Sequence, residues 1–419
     1  MLKIGNVPVN QLVEQFGSPL YVYDVQIMQR AIDEYKKNFV SNNFATEILY
    51  ASKAFTCKAM FKLIQQNNLS LDVVSGGEIY LASTINFDPK KLFFHGNNKP
   101  RHEMVEALKY GVGTFFVDNQ PELDLLIQVS NELQISTDVI IRINPKVEAH
   151  THDYVKTSII DSKFGISMDY TEQIVAMINA VKNSQYLTMR GFHAHIGSQI
   201  FEYNGFEIEI DNMVRFMANI NQLTNSEFSV LDLGGGFGVR YTAADQPKSY
   251  TETSRILIEN VENACAKYHL NLTKLMIEPG RSIVGEAGYT VYTVGFTKKT
   301  DTKQWLFIDG GMGDNIRPCL YGSKYYAEIA NRENEPKTEV YEVVGRYCES
   351  GDFIIHDCPL PKAQTGDLVV VHTTGAYGLT MASNYNMVNR LPVIFVNGSE
   401  AKMVVRRETY QDQTVRELE

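Results

Sequence analysis

The sequence predicts an α/β protein: a TIM-type (β/α)8 barrel followed by a second, C-terminal β-rich domain. Three observations carry that expectation. Eight short apolar runs each end on a Gly, a charge or a polar side chain; residues at helical spacing lie between them; and the texture turns strand-like after Glu278. At 419 residues the chain exceeds the size at which a single core stops growing, so two domains are expected.

The eight runs are Ile48 to Lys53, Leu71 to Ser75, Leu92 to Gly96, Thr114 to Asp118, Val139 to Asn144, Met189 to His195, Val230 to Gly234 and Leu275 to Glu278. Apolar residues three and four apart between them, such as Met60, Leu63 and Ile64 or Met104, Ala107 and Leu108, predict helices covering a parallel sheet. Functional groups of such a barrel gather at the carboxyl ends of the strands, so the residues ending the runs are expected to converge. Beyond Glu278 come Tyr289 to Phe296, Gln304 to Ile308, Glu339 to Val344, Phe353 to Ile355, Leu368 to His372, Val393 to Val396 and Lys402 to Val405, which predict a β-sandwich or open barrel. The early run Pro19 to Tyr23 is expected to return and pair with that β domain. The predicted partition is 1–28 as an N-terminal segment, 29–282 as the barrel and 283–419 as the β domain.

Composition narrows the function. Hydrophobic residues at 44% and charged residues at 21% are ordinary for a globular enzyme. A formal net charge of -10 disfavours nucleic acid or an anionic membrane as partner and leaves a small-molecule substrate. Met1 to Gln15 lacks a basic start followed by an apolar run, and no stretch of about 18 apolar residues occurs, so a cytoplasmic protein is expected. Five scattered cysteines form neither a disulfide framework nor a CxxC pair.

Several run ends carry chemistry. Lys53 closes the first run, where partial desolvation lowers an amine's pKa and permits Schiff-base formation; the alternative is a lysine that merely snorkels to solvent. Gly234-Gly235-Gly236 after the seventh run, with a helix start expected beyond, suits a phosphate; alone it is a weak signal, and no GK[ST] follows to make it a P-loop. Glu278-Pro279-Gly280-Arg281 ends the eighth: its carboxylate can face a pyridine nitrogen and its guanidinium a phosphate or carboxylate, or the two can form a structural ion pair. Arg142 is placed to orient Glu278 across the barrel. His193-Ala194-His195-Ile196-Gly197-Ser198 offers a ring-stacking His195 and a phosphate-binding Ser198. His193 with His195, and His150 with His152, also have the HxH spacing of metal ligands. No metal is expected, because no further ligand arrives at a matching strand end and Lys53 would then be idle. In the β domain Cys348 stands in Cys348-Glu349-Ser350-Gly351-Asp352; flanking carboxylates disfavour its thiolate and suit a proton donor, against the common reading of a small buried hydrophobe.

Together these motifs resemble the diaminopimelate decarboxylases, in the fold group shared with alanine racemase and ornithine decarboxylase. The resemblance runs from Phe16–Tyr23 to Arg406–Tyr410 and includes Tyr50-Ala-Ser-Lys53-Ala, Asp72-Val-Val-Ser-Gly-Gly-Glu78, His95-Gly-Asn-Asn-Lys99, Ser162-Lys-Phe-Gly165, Glu278-Pro-Gly-Arg281, Cys348-Glu-Ser-Gly-Asp352 and Gly375-Ala-Tyr377-Gly. It implies pyridoxal 5'-phosphate as cofactor, joined to Lys53 by a Schiff base. His195 would stack on the ring, Ser198, Gly235, Gly236 and Tyr377 hold the phosphate, and the Glu278-Pro279-Gly280-Arg281 turn line the cofactor with Glu278 on the pyridine nitrogen. Arg281, Arg317, Tyr321 and Tyr377 would grip substrate carboxylate. Cys348 would return the proton and Glu349 read the distal ammonium, both from the second subunit of a homodimer. The implied reaction is decarboxylation of meso-2,6-diaminopimelate to L-lysine, with an ornithine or arginine decarboxylase as the alternative. A racemase would need a second base where Cys348 stands, and a non-catalytic homologue would have no use for Lys53 and Cys348 together. Gly313, Phe55 and Thr157–Ile160 depart from residues frequent in the family and put the fine shape of the substrate pocket in question.

Overall fold

The computed structural model describes residues 1–147 and 162–418. The chain forms two compact units: Ile32–Gly238 with Pro247–Gly280, and Met1–Ala31 with Val239–Gln246 and Arg281–Glu419.

The first of these is a closed barrel of eight parallel strands: Ala45–Ala51, Ser70–Val73, Leu92–Phe94, Thr114–Val117, Thr137–Asn144, Leu187–His193, Val230–Asp232 and Lys274–Ile277. The eighth strand pairs back on the first, Lys274 opposite Ala45, and that pairing closes the ring. Each strand lies within or overlaps one of the eight predicted runs. Leu49, Phe93, Phe116, Ile140 and Met276, from five strands, pack as one buried cluster, the filled interior that makes such a barrel a core and not a pore.

Helices alternate with the strands because the polar residue after a strand often serves as the next helix cap. Ser75 Oγ accepts from Glu78 N at the start of Gly76–Ser83, and Asn119 Oδ1 from Glu122 N at the start of Gln120–Leu133. Such caps satisfy N–H groups that would otherwise be orphaned, each contributing about 1 kcal/mol. The expected apolar faces are buried: Met60, Leu63 and Ile64 in Lys58–Gln66, and Met104, Ala107 and Leu108 in Arg101–Tyr110.

The other unit is built on one mixed nine-stranded sheet, where a sandwich would have two facing sheets. Its centre is the 12-residue strand Gly288–Lys299. The first half pairs with Leu20–Asp24 and Leu368–Val371, the second half with Gln304–Ile308. All of Leu20–Asp24 is buried, and it also runs parallel to Val393–Asn397. The strand Ala327–Ile329, only three residues long and outside the expected runs, pairs with Leu368–Val371. The segment Val239–Gln246 falls in this unit, although the sequence assigns it to the barrel; Val239 and Tyr241 are buried in the same cluster as Tyr292, Leu306 and Val343. Among the described residues no helix is long and apolar enough to cross a membrane.

Candidate active site

Every barrel strand delivers an ionisable side chain at or just beyond its carboxyl end: Lys53, Asp72, His95, Asp118, Arg142, His193, Asp232 and Glu278. Apolar strand residues pack inward and outward below them, so these groups are held at one face of the ring. Four are joined in a chain of contacts. Lys53 Nζ donates to Asp72 Oδ2 at 2.7 Å; Asp72 Oδ1 lies 3.8 Å from His95 Nε2; and His95 Nε2 lies 2.9 Å from Glu278 Oε1, which His193 Nε2 also approaches at 3.5 Å. Asp72, His95, His193 and Glu278 are all buried, whereas the Lys53 side chain keeps 39% of its surface exposed.

Burial would raise the pKa of Glu278, but the imidazoles of His95 and then His193 outweigh it and hold the carboxyl well below its usual range. Burial pushes His193 down to about 4 despite that carboxylate, so it is neutral at pH 7. His195 is also held well below the ordinary imidazole value, by burial first and Lys53 second. Asp232 moves the other way, raised by burial and by Glu278.

The glycine run leaves the seventh strand and folds against the neighbouring loops. A Cβ on Gly235 would lie 2.1 Å from the Glu278 carbonyl oxygen, and one on Gly236 2.2 Å from that of Gly197. Close backbone packing therefore requires glycine here whatever the loop binds. The Gly235 N–H donates to His195 Nδ1 at 3.2 Å, fixing the ring. The helix expected beyond the glycines is Tyr250–Tyr268, separated from them by Val239–Gln246, which belongs to the other unit. Arg142 likewise differs from expectation. Its Nε faces Asp118 at 4.0 Å, and its guanidinium lies over the Phe164 ring. Glu278 acts on it only as the second of several nearby carboxylates.

The other unit gathers a second set. Arg281 and Arg317, both buried, each place a guanidinium over Tyr377, at 4.8 and 5.6 Å from the ring centre. Arg281 Nη1 donates to Tyr241 Oη. Arg317 Nε donates to Tyr325 Oη at 3.0 Å and its Nη2 to Ser323 Oγ at 3.1 Å, while Tyr321 lies 5.4 Å away. Two planar cations framed by tyrosines suit a carboxylate. The expected Arg281, Arg317, Tyr321 and Tyr377 thus come together, joined by Tyr241 and Tyr325. Cys348 and Glu349 are exposed instead: Cys348 N donates to Asn386 Oδ1, and Glu349 Oε1 accepts from Ser350 Oγ. The Asp352 carboxylate accepts from Met312 N and Tyr347 N. Gly313 has a physical cause, because a Cβ there would lie 2.2 Å from Tyr347 Oη. Phe55 is fully buried, its carbonyl accepting from Tyr50 Oη. His150, His152 and Thr157–Ile160 lie outside the described residues.

Sequence reasoning gave no role to Asp72, His95, Asp118, Tyr241 or Tyr325. Asp118 carries the same signal as Lys53 and Glu278, a charge closing an apolar run, and could have been found by it, whereas Asp72 and His95 lie inside their runs. At the barrel mouth the histidines placed against Glu278 are His95 and His193, not the HxH pair. One ligand atom from each, with one from Glu278, lies within 4.8 Å of the others, a donor set able to hold a metal.

The arrangement fits pyridoxal phosphate. Glu278 Oε1 is a buried, ionised oxygen with no hydrogen-bond donor in line with it, which is what a protonated pyridine nitrogen needs, and Lys53 supplies an amine for the aldehyde. Comparison with known proteins gives the class first. The model of the pyridoxal-dependent decarboxylases, pyridoxal binding domain, matches residues 25–285. A diaminopimelate decarboxylase of Bacillus subtilis is 44% identical over 98% of this chain and 94% of its own length. The crystal structure of the M. jannaschii diaminopimelate decarboxylase in co-complex with L-lysine superposes with a TM-score of 0.91 at 30% identity, covering 100% of this chain and 97% of that one. The Helicobacter pylori enzyme, also with L-lysine, gives 0.88 at 28% identity, covering 97% and 98%. The chain belongs to the diaminopimelate decarboxylase family of pyridoxal-phosphate-dependent enzymes.

Proposed function

We propose that this protein decarboxylates meso-diaminopimelate to L-lysine and carbon dioxide, using pyridoxal phosphate held in the barrel, as a cytoplasmic homodimer. The observation that carries the reading is the contact chain from Lys53 through Asp72 and His95 to Glu278, which presents an amine and an ionised carboxylate at one barrel mouth. Bound pyridoxal phosphate supplies the electron sink for the breaking carbon–carbon bond. Lys53, paired with Asp72, would hold the aldehyde end of the cofactor. Glu278, kept ionised, would hold the pyridine nitrogen protonated, and His195, fixed by Gly235, would support the ring. The Gly235–Gly236 loop, Ser198 and Tyr377 would take the phosphate, and Pro279 and Gly280 keep the turn between Glu278 and Arg281 tight.

Arg281 and Arg317, with Tyr321 and Tyr377, bind carboxylate at the end of the substrate that does not react. Ornithine or arginine has no carboxylate to place there, so two buried guanidiniums would be left without an anion, and those substrates are disfavoured. Loss of carbon dioxide must be balanced by one proton returned to the same carbon. We assign that proton to the Cys348 thiol and recognition of the distal ammonium to Glu349, both supplied by the partner subunit. A twofold dimer makes two equivalent composite sites in this way.

Purified protein given pyridoxal phosphate and meso-diaminopimelate should release lysine and carbon dioxide in equal amounts, and give no diamine from ornithine or arginine. Lys53→Ala and Cys348→Ala homodimers should each be nearly inactive. Dissociated and reassociated together, they should recover about a quarter of wild-type activity, because half the dimers are mixed and each carries one intact site. Diamine in place of lysine would overturn the substrate assignment, and no recovery despite subunit exchange seen by mass would overturn the shared site.

A further inference from the structure

The ends of the third, sixth and eighth barrel strands bring three donor atoms to one point. His95 Nε2 lies 2.9 Å from Glu278 Oε1, His193 Nε2 lies 3.5 Å from the same oxygen, and the three atoms all lie within 4.8 Å of one another. The three residues are exposed by 4%, 1% and 4%, in that order of strands. Among the described residues none of these atoms has a hydrogen-bond partner. Buried polar atoms are nearly always satisfied, so three that converge without a partner point to something that joins them. The rings are held by the core. His95 stacks on Phe116 with centroids 3.7 Å apart, and His193 meets both rings edge-on at 5.1 Å. Phe116 belongs to the packed interior cluster of the barrel, so the donors are fixed by packing before any ligand arrives.

We propose that the cofactor-free protein holds a divalent cation of the zinc class on His95 Nε2, His193 Nε2 and Glu278 Oε1, and that this ion and pyridoxal phosphate exclude one another. Two imidazoles and a carboxylate are a zinc donor set, whereas magnesium and calcium call for oxygen ligands. A tetrahedral ion with bonds of about 2.0 to 2.1 Å sets its ligand atoms about 3.3 Å apart. The separations of 2.9 and 3.5 Å lie on either side of that value. Three protein ligands leave a fourth position for water. Asp72 Oδ1, 3.8 Å from His95 Nε2 and likewise without a hydrogen-bond partner, offers that water an acceptor. The third ligand, His95, comes from a strand to which the HxH spacing does not point. Mutual exclusion rests on the reading that Glu278 faces the cofactor's pyridine nitrogen, because the oxygen that would meet that nitrogen is the one that binds the ion. Metal binding itself does not rest on it.

Untagged protein stripped of cofactor and metal, then given cobalt(II), should show the visible bands of a four-coordinate ion, and zinc should displace the cobalt at one ion per chain. X-ray absorption of the zinc form should show nitrogen and oxygen neighbours at about 2.0 to 2.1 Å and no sulfur at about 2.3 Å. His95→Gln, His193→Gln and Glu278→Gln should each weaken zinc binding by more than about a hundredfold, beyond what the loss of a supporting residue costs. With zinc at about ten times its Kd, the affinity of the cofactor-free protein for pyridoxal phosphate, followed by visible absorbance, should fall about tenfold. No bound metal, sulfur among its neighbours, or zinc held equally well by the folded variants overturns the proposal. If none of the variants folds, the X-ray absorption of the wild-type protein decides alone. Zinc on these ligands with no effect on pyridoxal phosphate would overturn the exclusion and count against Glu278 as the partner of the pyridine nitrogen. Failure of the holoenzyme to form lysine would count against the proposed reaction and leave the metal site standing.

Discussion

The two ends of the barrel are made from the same strands and use charge in opposite ways. At the carboxyl end Asp72, His95, His193 and Glu278 are buried and share partners within one connected set. At the amino end Glu47 pairs with Lys274 at 2.8 Å and Asp138 with Arg190 at 2.9 Å, around a cavity of about 580 Å3 that Thr114, Thr137 and Thr188 also line. Those pairs keep between 22% and 52% of their side-chain surface in solvent. A buried charge must be matched or it costs several kcal/mol, whereas an exposed pair trades one set of water contacts for another at little gain. One end of the barrel is thus specified by its charges, and the other merely tolerates them.

The largest effect should come from Glu278→Gln, which keeps the shape and removes the charge. kcat/KM should drop by about a hundredfold or more while the fold is retained. Steady-state kinetics beside circular dichroism tests this, and a loss under threefold would show that the buried carboxylate is structural. A middle-sized effect should come from acid. His193 sits at about 4 in the folded protein against an ordinary imidazole value near 6.5, so the unfolded chain takes up its proton first as the pH falls. Its contribution to stability is complete above about pH 6.5 and is lost between there and about 4. Asp314, raised by burial to about 7, works in the opposite direction over the same range, so the contribution must be read as a difference. The stability gap between wild type and His193→Gln, from urea unfolding, should shrink by about 2 to 3 kcal/mol between pH 7 and 4.5. A constant gap would mean that the imidazole takes up its proton alike in the folded and the unfolded chain.

The smallest effect is expected at the amino end. Lys274→Met should change stability by less than about 1 kcal/mol, and 1 M salt should remove most of even that. A loss above about 2 kcal/mol would erase the contrast between the two ends.

The sequence by itself determined the barrel, because eight buried strands must be apolar and short and must stop where the chain turns. It also determined the positions that face the site, since Lys53 and Glu278 end such runs where no apolar-core reason for a charge exists. The same punctuation has a second cause that the sequence does not separate from the first: Ser75 ends a run and Asn119 directly follows one, yet they cap helices. Only the tertiary structure decided which charges meet. Asp72, His95 and Glu278 lie far apart along the chain, and ring closure through the pairing of the eighth strand with the first is what carries Glu278 round to the side of Lys53 and Asp72. It decided as well that Arg142 answers Asp118, that Gly235 is required by the Glu278 carbonyl and that Gly313 makes way for Tyr347. Those are distances between residues remote in sequence. Composition and periodicity are local properties of the chain, and they fix which face a side chain occupies, not the partner it finds there.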